Sequence, residues 1–218
     1  MLLRVLLAAL ISFGLVYGAQ AQKAVAVAAC GSDSLDIGQA HGLYMDSSGV
    51  LCIITTGPTY SAGAASYTGY ANPTDFFAIA GSSTKTIKII NIRLSGYATA
   101  NNNIPIALVK RSTANTGGTP TSITKTPWDS TSSAATATLV TYAAAPTLGT
   151  LVGNLCACQV ELPATSGVGG SIVQWNFNHL GGSPLILRGT NEMVTLNAYG
   201  VSFPAGTNLN ITVEWIEQ

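Results

Sequence analysis

The stretch TKTIKIINIRL, residues 84–94, decides the fold class. Its β-branched residues favour a pleated strand, in which side chains alternate between two faces. Ile87 and Ile89 fall on one face, whereas Ile90 and the apolar residues that alternate after it fall on the other. A β-bulge at Ile89-Ile90 would restore one continuous apolar face. We therefore predict a long strand here that carries an extra residue at that point.

Similar short apolar stretches recur along the chain, separated by clusters of Gly, Pro, Asn and Ser. They lie at 75–80, 104–108, 135–142, 156–162, 171–177, 184–188, 193–198 and 209–217. No segment after Ala21 shows the sustained 3.6-residue periodicity of an amphipathic helix. We therefore predict an all-β domain over residues 74–218, an antiparallel β-sandwich or jelly roll.

The composition excludes several classes of protein. The 218 residues carry nine basic and nine acidic side chains, and only 8% are charged, against roughly 25% in an average soluble domain. A hydrophobic content of 47% excludes a disordered chain. A neutral chain also lacks the basic surface that a nucleic-acid partner requires. Near-zero net charge favours association, so we expect the protein to act within an assembly.

The N-terminus has the organisation of a targeting segment. Met1–Arg4 forms a short positive region, and the apolar run Val5–Gly18 has the length of a signal-peptide core. Ala19-Gln20-Ala21 supplies the small residues of a cleavage site, so the mature chain is predicted to begin at Gln22. Two alternatives stay open, an uncleaved membrane anchor and a lipoprotein whose lipidated residue is Cys30.

The four cysteines suggest disulfides in an exported chain. Residues 22–54 are predicted to form a small β-hairpin module around LYMDSSGVLC, closed most simply by a Cys30–Cys52 bridge. Cys156 and Cys158 lie two apart in a predicted strand, so both thiols face the same side. A bond between them would be strained. They are therefore either free thiols or partners of the first two cysteines, and the spacing does not fit a zinc site.

The aromatic residues supply the candidate contact sites. Residues 55–73 are small and polar with Tyr60, Tyr67 and Tyr70 interspersed, and we interpret them as a linker or arm that binds a neighbouring subunit. Trp128 lies in the polar stretch TKTPWDST, where burial is not expected. It is predicted to anchor a subunit interface, to stack on a sugar, or to fold back as a plug of its own loop.

A search for chemistry finds no catalytic motif, no phosphate-binding glycine loop and no metal-ligand cluster, so we predict no enzyme activity and no cofactor. Asp75 stands alone in the sequence. Lys110 and Arg111, with Arg93 and Arg188, are interpreted as solvated strand ends, with a small basic spot as the alternative.

Three segments resemble a jelly-roll structural domain that recurs in virion proteins of tailed bacteriophages and prophages. They are residues 73–96 (PTDFFAIAGSSTKTIKIINIRLSG), 108–150 (LVKRSTANTGGTPTSITKTPWDSTSSAATATLVTYAAAPTLGT) and 187–218 (LRGTNEMVTLNAYGVSFPAGTNLNITVEWIEQ). The hairpin LYMDSSGVLC is similar to short modules that precede such domains. The resemblance covers residues 73–218 and implies a particle-surface protein of the capsid-decoration type. The signal-like N-terminus departs from that pattern, because capsid proteins assemble in the cytoplasm.

Two functions follow as expectations. The first is a non-enzymatic virion surface protein, a homotrimer that binds other virion proteins. The second is an exported adhesin or carbohydrate-binding module, periplasmic or extracellular, with Trp128 and Tyr199 as platforms for a surface glycan. A membrane is a partner only if the N-terminal segment is retained.

Overall fold

The computed structural model describes residues 28–29, 41–45, 51–55, 57–165, 172–177 and 184–218. The chain divides into two units, Met1–Thr56 and Gly57–Gln218. The predicted signal segment, residues 1–21, lies outside the described residues. Within the described part of the chain, no helix is long and apolar enough to cross a membrane.

The first unit contains a three-stranded sheet. Its strands are β1 (Ala28–Ala29), β2 (His41–Met45) and β3 (Leu51–Thr55), in the order β1-β3-β2. β2 and β3 are antiparallel, with Tyr44 opposite Cys52. This pairing confirms the predicted hairpin, whereas the predicted turn between the two strands lies outside the described residues.

The second unit is an antiparallel β-sandwich, as predicted. Its strands are β4 (Thr59–Tyr67), β5 (Asp75–Ala80), β6 (Ile87–Tyr97), β7 (Asn102–Arg111), β8 (Thr116–Gly117), β9 (Pro120–Ser122), β10 (Lys125–Pro127), β11 (Thr138–Tyr142), β12 (Pro146–Thr147), β13 (Leu151–Leu162), β14 (Val173–Asn176), β15 (Leu185–Leu187), β16 (Met193–Asn197) and β17 (Asn208–Glu217). The first sheet has the order β10-β4-β17-β6-β14, with β15 also beside β6, and the second has the order β13-β7-β16-β5-β11-β9. β8 and β12 form a separate two-stranded ribbon.

The long strands pair in a nested pattern. β4 pairs with β17, β5 with β16, β6 with β14 and β15, and β7 with β13, all antiparallel. The earliest long strand thus lies beside the last, and the pairs converge toward the middle of the chain. In such a pattern, the half of the chain that contains β4 to β7 pairs antiparallel with the half that contains β13 to β17. The resulting pairs of strands are divided between the two sheets.

The core lies between the two sheets. Ile87, Leu94 and Trp215 from the first sheet belong to the same buried cluster as Ile106 and Leu108 from the second. The outer face of the second sheet is buried as well, where Ala78, Ala80, Tyr142 and Met193 form a smaller cluster. Ala114, in the segment that connects β7 to β13, packs against this smaller cluster. The outer face of the second sheet is therefore covered around β5, β11 and β16.

The predicted bulge in β6 is confirmed. Along β17, Glu214 pairs with Asn91 and Trp215 pairs with Ile89, so Ile90 has no partner of its own on β17. The extra residue changes the alternation, and Ile87, Ile89, Ile92 and Leu94 are all fully buried. One strand thereby presents a continuous apolar face to the core.

The segment predicted as a linker, residues 55–73, contains a strand of the sandwich. Thr59–Tyr67 is strand β4, which lies between β10 and β17 in the first sheet. Tyr60 and Ala62 are buried on its inner face. The small residues of β4 make its pattern of alternating apolar side chains hard to recognise. The strand is held in the sheet by its pairing with β17, about 150 positions later in the chain.

Candidate contact site around Trp128

Trp128 projects from a loop that follows β10 and ends at β11. We call residues 128–137 the Trp128 loop. The indole is 63% exposed, which excludes the predicted alternative of a plug folded back into its own loop. The other two tryptophans, Trp175 and Trp215, are buried at 8% and 0% exposure, as expected for strand residues. Trp128 is therefore the one tryptophan of this chain that can contact a partner without unfolding.

The start of the Trp128 loop is held by the backbone and by a local turn. The N–H of Trp128 donates to the carbonyl of Thr59 at 2.9 Å. Asp129 then accepts two hydrogen bonds from Thr131, from the backbone N–H at 2.9 Å and from Oγ1 at 2.8 Å. These hydrogen bonds lower the pKa of the Asp129 carboxyl, because they favour its charged form. The side chain thus stabilises the turn beside the indole.

The end of the loop is held by a buried carboxylate. Glu217, 2% exposed, accepts hydrogen bonds from the N–H of Thr136 at 2.9 Å, its Oγ1 at 2.7 Å and the N–H of Ala137 at 3.0 Å. The indole N–H of Trp215 donates to the same carboxylate at 2.9 Å. A buried carboxylate requires such donors to offset its lost hydration. Glu217 therefore fixes the loop to the core.

The middle of the loop is held by Tyr60. Its hydroxyl donates to the carbonyl of Ser133 at 2.8 Å, and its ring stacks on Trp215 with centroids 5.7 Å apart. Burial raises the pKa of Tyr60, the side-chain hydroxyl of Ser133 opposes that rise, and the Glu217 charge adds to it. Lys125 also donates to the carbonyl of Ala137 at 2.8 Å. The loop is thus fixed at its start, middle and end.

This arrangement combines a rigid loop with an exposed aromatic side chain. An indole buries a large area on contact and loses little conformational freedom, since it has only two side-chain torsions. Because the loop backbone is already ordered, binding does not have to order it. The geometry suits a contact residue at a protein interface or a platform for a flat apolar face of a ligand.

The structure places the three predicted arm tyrosines in the domain itself. Tyr60 is 1% exposed. Tyr67 is half-buried, stacks on Phe76 with centroids 5.7 Å apart and donates to the carbonyl of Tyr142 at 2.8 Å. Tyr70 donates to the carbonyl of Asp75 at 3.1 Å. The prediction that these residues reach a neighbouring subunit from an arm is therefore wrong for Tyr60, which lies in the core, and stays a prediction for the half-buried Tyr67 and Tyr70.

The cysteine predictions have mixed outcomes. Cys156 and Cys158 lie on the inner side of β13, are free thiols and pack partly buried against the core, which confirms their common face. Burial raises the pKa of the Cys158 thiol, and neighbouring Cys156 raises it further. The Cys30–Cys52 bridge stays a prediction, since Cys30 and the side chain of Cys52 lie outside the described residues.

Tyr199, the second predicted stacking residue, is 51% exposed and adopts a left-handed backbone conformation with φ of 57°. Its backbone N–H donates to Asn197 Oδ1 at 2.7 Å, and its hydroxyl accepts a long hydrogen bond of 3.5 Å from Asn154. It follows β16 of the second sheet, whereas the Trp128 loop follows β10 of the first. No contact joins the two aromatic residues within the described part of the chain.

Sequence reasoning missed a buried charge cluster on the second sheet. Asp75, which stands alone in the sequence, is 0% exposed and pairs with Arg111, which is 4% exposed. Asn115 and Asn197 donate to the same carboxylate at 2.7 and 2.6 Å. The interpretation of Arg111 as a solvated strand end is therefore wrong. Every member has a partner within the cluster, so the arrangement supports the fold.

A cavity of about 250 Å³ lies beside this cluster on the outer face of the second sheet. Ala80, Tyr142 and Met193 line it together with Thr138 and Thr190. Among the described residues that line it, no acid, base or nucleophile stands in a catalytic arrangement. Among the described residues, no group of three His, Cys, Asp or Glu side chains is placed to hold a metal ion.

Comparison with known proteins assigns no family. No family model, curated protein or solved structure matches the chain. The resemblance to phage virion domains therefore stays a prediction from the sequence, and the geometry of the Trp128 loop is the main basis for a functional proposal.

Proposed function

We propose that this protein is a non-enzymatic structural protein of a virion surface, of the decoration type, which acts through a contact centred on Trp128. The observation that carries the proposal is a 63% exposed indole on a loop that Glu217 and Tyr60 fix to the core. Exposed aromatic residues on rigid supports are typical anchors of protein interfaces. The partner is another subunit of the assembly or a neighbouring virion protein.

Two further observations support the proposal. The formal net charge is zero and only 8% of residues are charged, so charge repulsion does not oppose dense packing of copies. The nested strand pairing, with β4 beside β17 and β5 beside β16, is the arrangement expected of a jelly roll, the fold that the resemblance implies. The trimeric state and the place in the particle are part of the same proposal.

The virion assignment is tested by mass spectrometry of gradient-purified particles from the source culture. We expect the chain in stoichiometric amount with the particle proteins. Recovery only from the medium or the membrane fraction would contradict the proposal. The N-terminal peptide from the same experiment shows whether residues 1–21 are retained.

The contact is tested with Trp128→Ala, compared with Tyr97→Ala as a control at another exposed aromatic position, 40% exposed. We expect Trp128→Ala to weaken binding to particles about tenfold or more, as for interface anchors. The free energy of unfolding should change by less than about 0.5 kcal/mol, because the side chain is mostly in solvent. Tyr97→Ala should leave binding unchanged, and equal effects of the two variants would contradict the role of Trp128.

Fluorescence provides a direct readout of the same contact. Because Trp175 and Trp215 are buried, acrylamide should quench mainly Trp128 in the free protein. Binding of a particle should protect it and shift its emission to the blue. Unchanged quenching in the bound state would show that Trp128 stays in solvent.

The second candidate function is an exported carbohydrate-binding module. The same exposed indole favours it, because sugar faces stack on flat aromatic rings, and Tyr199 offers a separate exposed ring. A glycan array with the wild-type chain and Trp128→Ala tests this candidate. Glycan binding that Trp128→Ala abolishes, together with absence from particles, would replace the virion proposal.

A further inference from the structure

The outer strands of the two sheets are very different from one another. β10 and β9 have three residues each and contain Pro127 and Pro120, which lack the N–H that a further strand would bind. β14 has four residues. β13, at the other edge of the second sheet, has 12 residues. Proteins normally protect sheet edges with short strands, proline and charge, so the length of β13 requires an explanation.

The composition of β13 adds to this contrast. Glu161 is the one charged side chain in the strand. Leu151, Val152 and Leu155 are 58%, 60% and 44% exposed, which places apolar area beside the edge. Irregularities in the pairing with β7 fall between Leu151 and Cys156, and residues 156–162 pair regularly. Within the described part of the chain, no strand occupies the other side of this regular segment.

We propose that β13 pairs antiparallel with β13 of a second copy of this chain, about a two-fold axis at Gln159. The second sheets of the two copies then form one continuous sheet. Gln159 is the centre of the regular segment 156–162, so this register uses all of it. An antiparallel pair of identical strands is closed by two-fold symmetry, so β13 is no longer a free edge in either copy.

The register agrees with the side chains. Ala157 of one copy lies opposite Glu161 of the other, so the two carboxylates do not face each other, and like charges directly opposite would be destabilising. Leu155 lies beside Pro163 of the other copy, at the end of the paired segment. A chain with zero formal net charge adds no long-range repulsion between copies. A second copy thus fits this edge both in charge and in geometry.

The pairing does not depend on what Trp128 binds, since the Trp128 loop follows β10 in the first sheet and β13 lies in the second. The two contacts also predict different assemblies. Pairing through β13 requires an even number of subunits, so it would join two of the proposed trimers into a hexamer, whereas without it the trimer keeps an odd number.

The test uses the full chain, measured by native mass spectrometry and by light scattering across a concentration series. Gln159→Lys places two ammonium groups opposite each other on the axis, and Gln159→Glu places two carboxylates there. Each variant should weaken the dimer at least about tenfold. An equimolar mixture of the two should restore the dimer, because the ammonium group of one variant would then face the carboxylate of the other.

The matched control is Thr121→Lys, which adds the same charge to exposed β9 at the opposite edge of the same sheet. It should leave the dimer unchanged. Amide hydrogen exchange on the wild type provides a second measurement, with protection of residues 156–162 that increases with protein concentration. Odd-numbered assemblies alone, an unaffected Gln159→Lys dimer, no recovery in the mixture, or concentration-independent exchange would each overturn the proposal.

Discussion

Arg111 donates two hydrogen bonds to Asp75, from Nε to Oδ2 at 2.6 Å and from Nη2 to Oδ1 at 2.9 Å. The two side chains are 5% and 0% exposed. Arg111 also donates from Nη1 to the carbonyl of Gly149 at 2.9 Å. The pair therefore connects β5 and β7 to the segment that covers the outer face of the second sheet.

Arg111→Met should destabilise the domain by about 3 to 5 kcal/mol, because it leaves the Asp75 carboxylate buried without its cation. The matched control is Arg93→Met, which removes the ion pair between Arg93 and Glu214. The Arg93 side chain is 45% exposed. That variant should cost less than about 1 kcal/mol, since water screens an exposed pair. Urea unfolding measures both, and equal losses would contradict the importance of burial.

Glu217→Ala should loosen the Trp128 loop. The variant leaves the N–H groups of Thr136 and Ala137 and the indole N–H of Trp215 without their acceptor. Each unsatisfied buried donor costs about 1 to 3 kcal/mol. We expect faster amide exchange over residues 128–137 and a lower free energy of unfolding. The control Glu161→Ala removes an exposed carboxylate and should change neither quantity, so equal exchange in both variants would contradict the role of Glu217.

Stability should decline at alkaline pH through buried tyrosines. Burial raises the pKa of Tyr67, with a further contribution from Tyr70, and burial also raises the pKa of Tyr60 and Tyr142. The folded-state pKa of these tyrosines lies above the unfolded value of about 10. Their contribution to the free energy of unfolding is therefore fully present below about pH 10 and is lost as the pH rises above it. Urea unfolding from about pH 8 to about pH 11 should show this decline.

Tyr67→Phe isolates one part of that effect. At neutral pH it should cost about 1 kcal/mol, because the hydrogen bond to the carbonyl of Tyr142 is lost. Above about pH 10 it should lose less stability than the wild type, because the phenol no longer titrates. The control is Tyr97→Phe at a 40% exposed position. An alkaline decline that is unchanged in Tyr67→Phe would show that other groups cause it.

Local patterns predicted the strands, whereas contacts between distant segments did not follow from the sequence. The change in alternation at Ile89-Ile90 is visible within one strand, so the bulge could be predicted there. In β4, Tyr60 and Ala62 alternate in the same way toward the core, but the small residues of this strand give too weak an apolar pattern to predict it. Its burial becomes clear only from the structure, where Trp215 stacks on Tyr60. The Trp128 loop was predicted to be exposed, yet its rigidity depends on Glu217, about 80 positions later. Arg111, Asn115 and Asn197 likewise meet at Asp75 from positions 36 to 122 residues away in the chain.

The bulge in β6 makes a prediction about two adjacent residues of the same type. Ile89 is fully buried, and Ile90, which has no partner on β17, is only half-buried. Ile89→Ala should cost about 2 to 5 kcal/mol through lost burial and a cavity. Ile90→Ala should cost roughly half of that or less, because its side chain leaves the continuous apolar face. Urea unfolding measures the free energy of unfolding of both variants. A regular strand without the bulge would bury Ile90 on the same face as Ile92, so a larger loss of stability in Ile90→Ala than in Ile89→Ala would contradict the bulge.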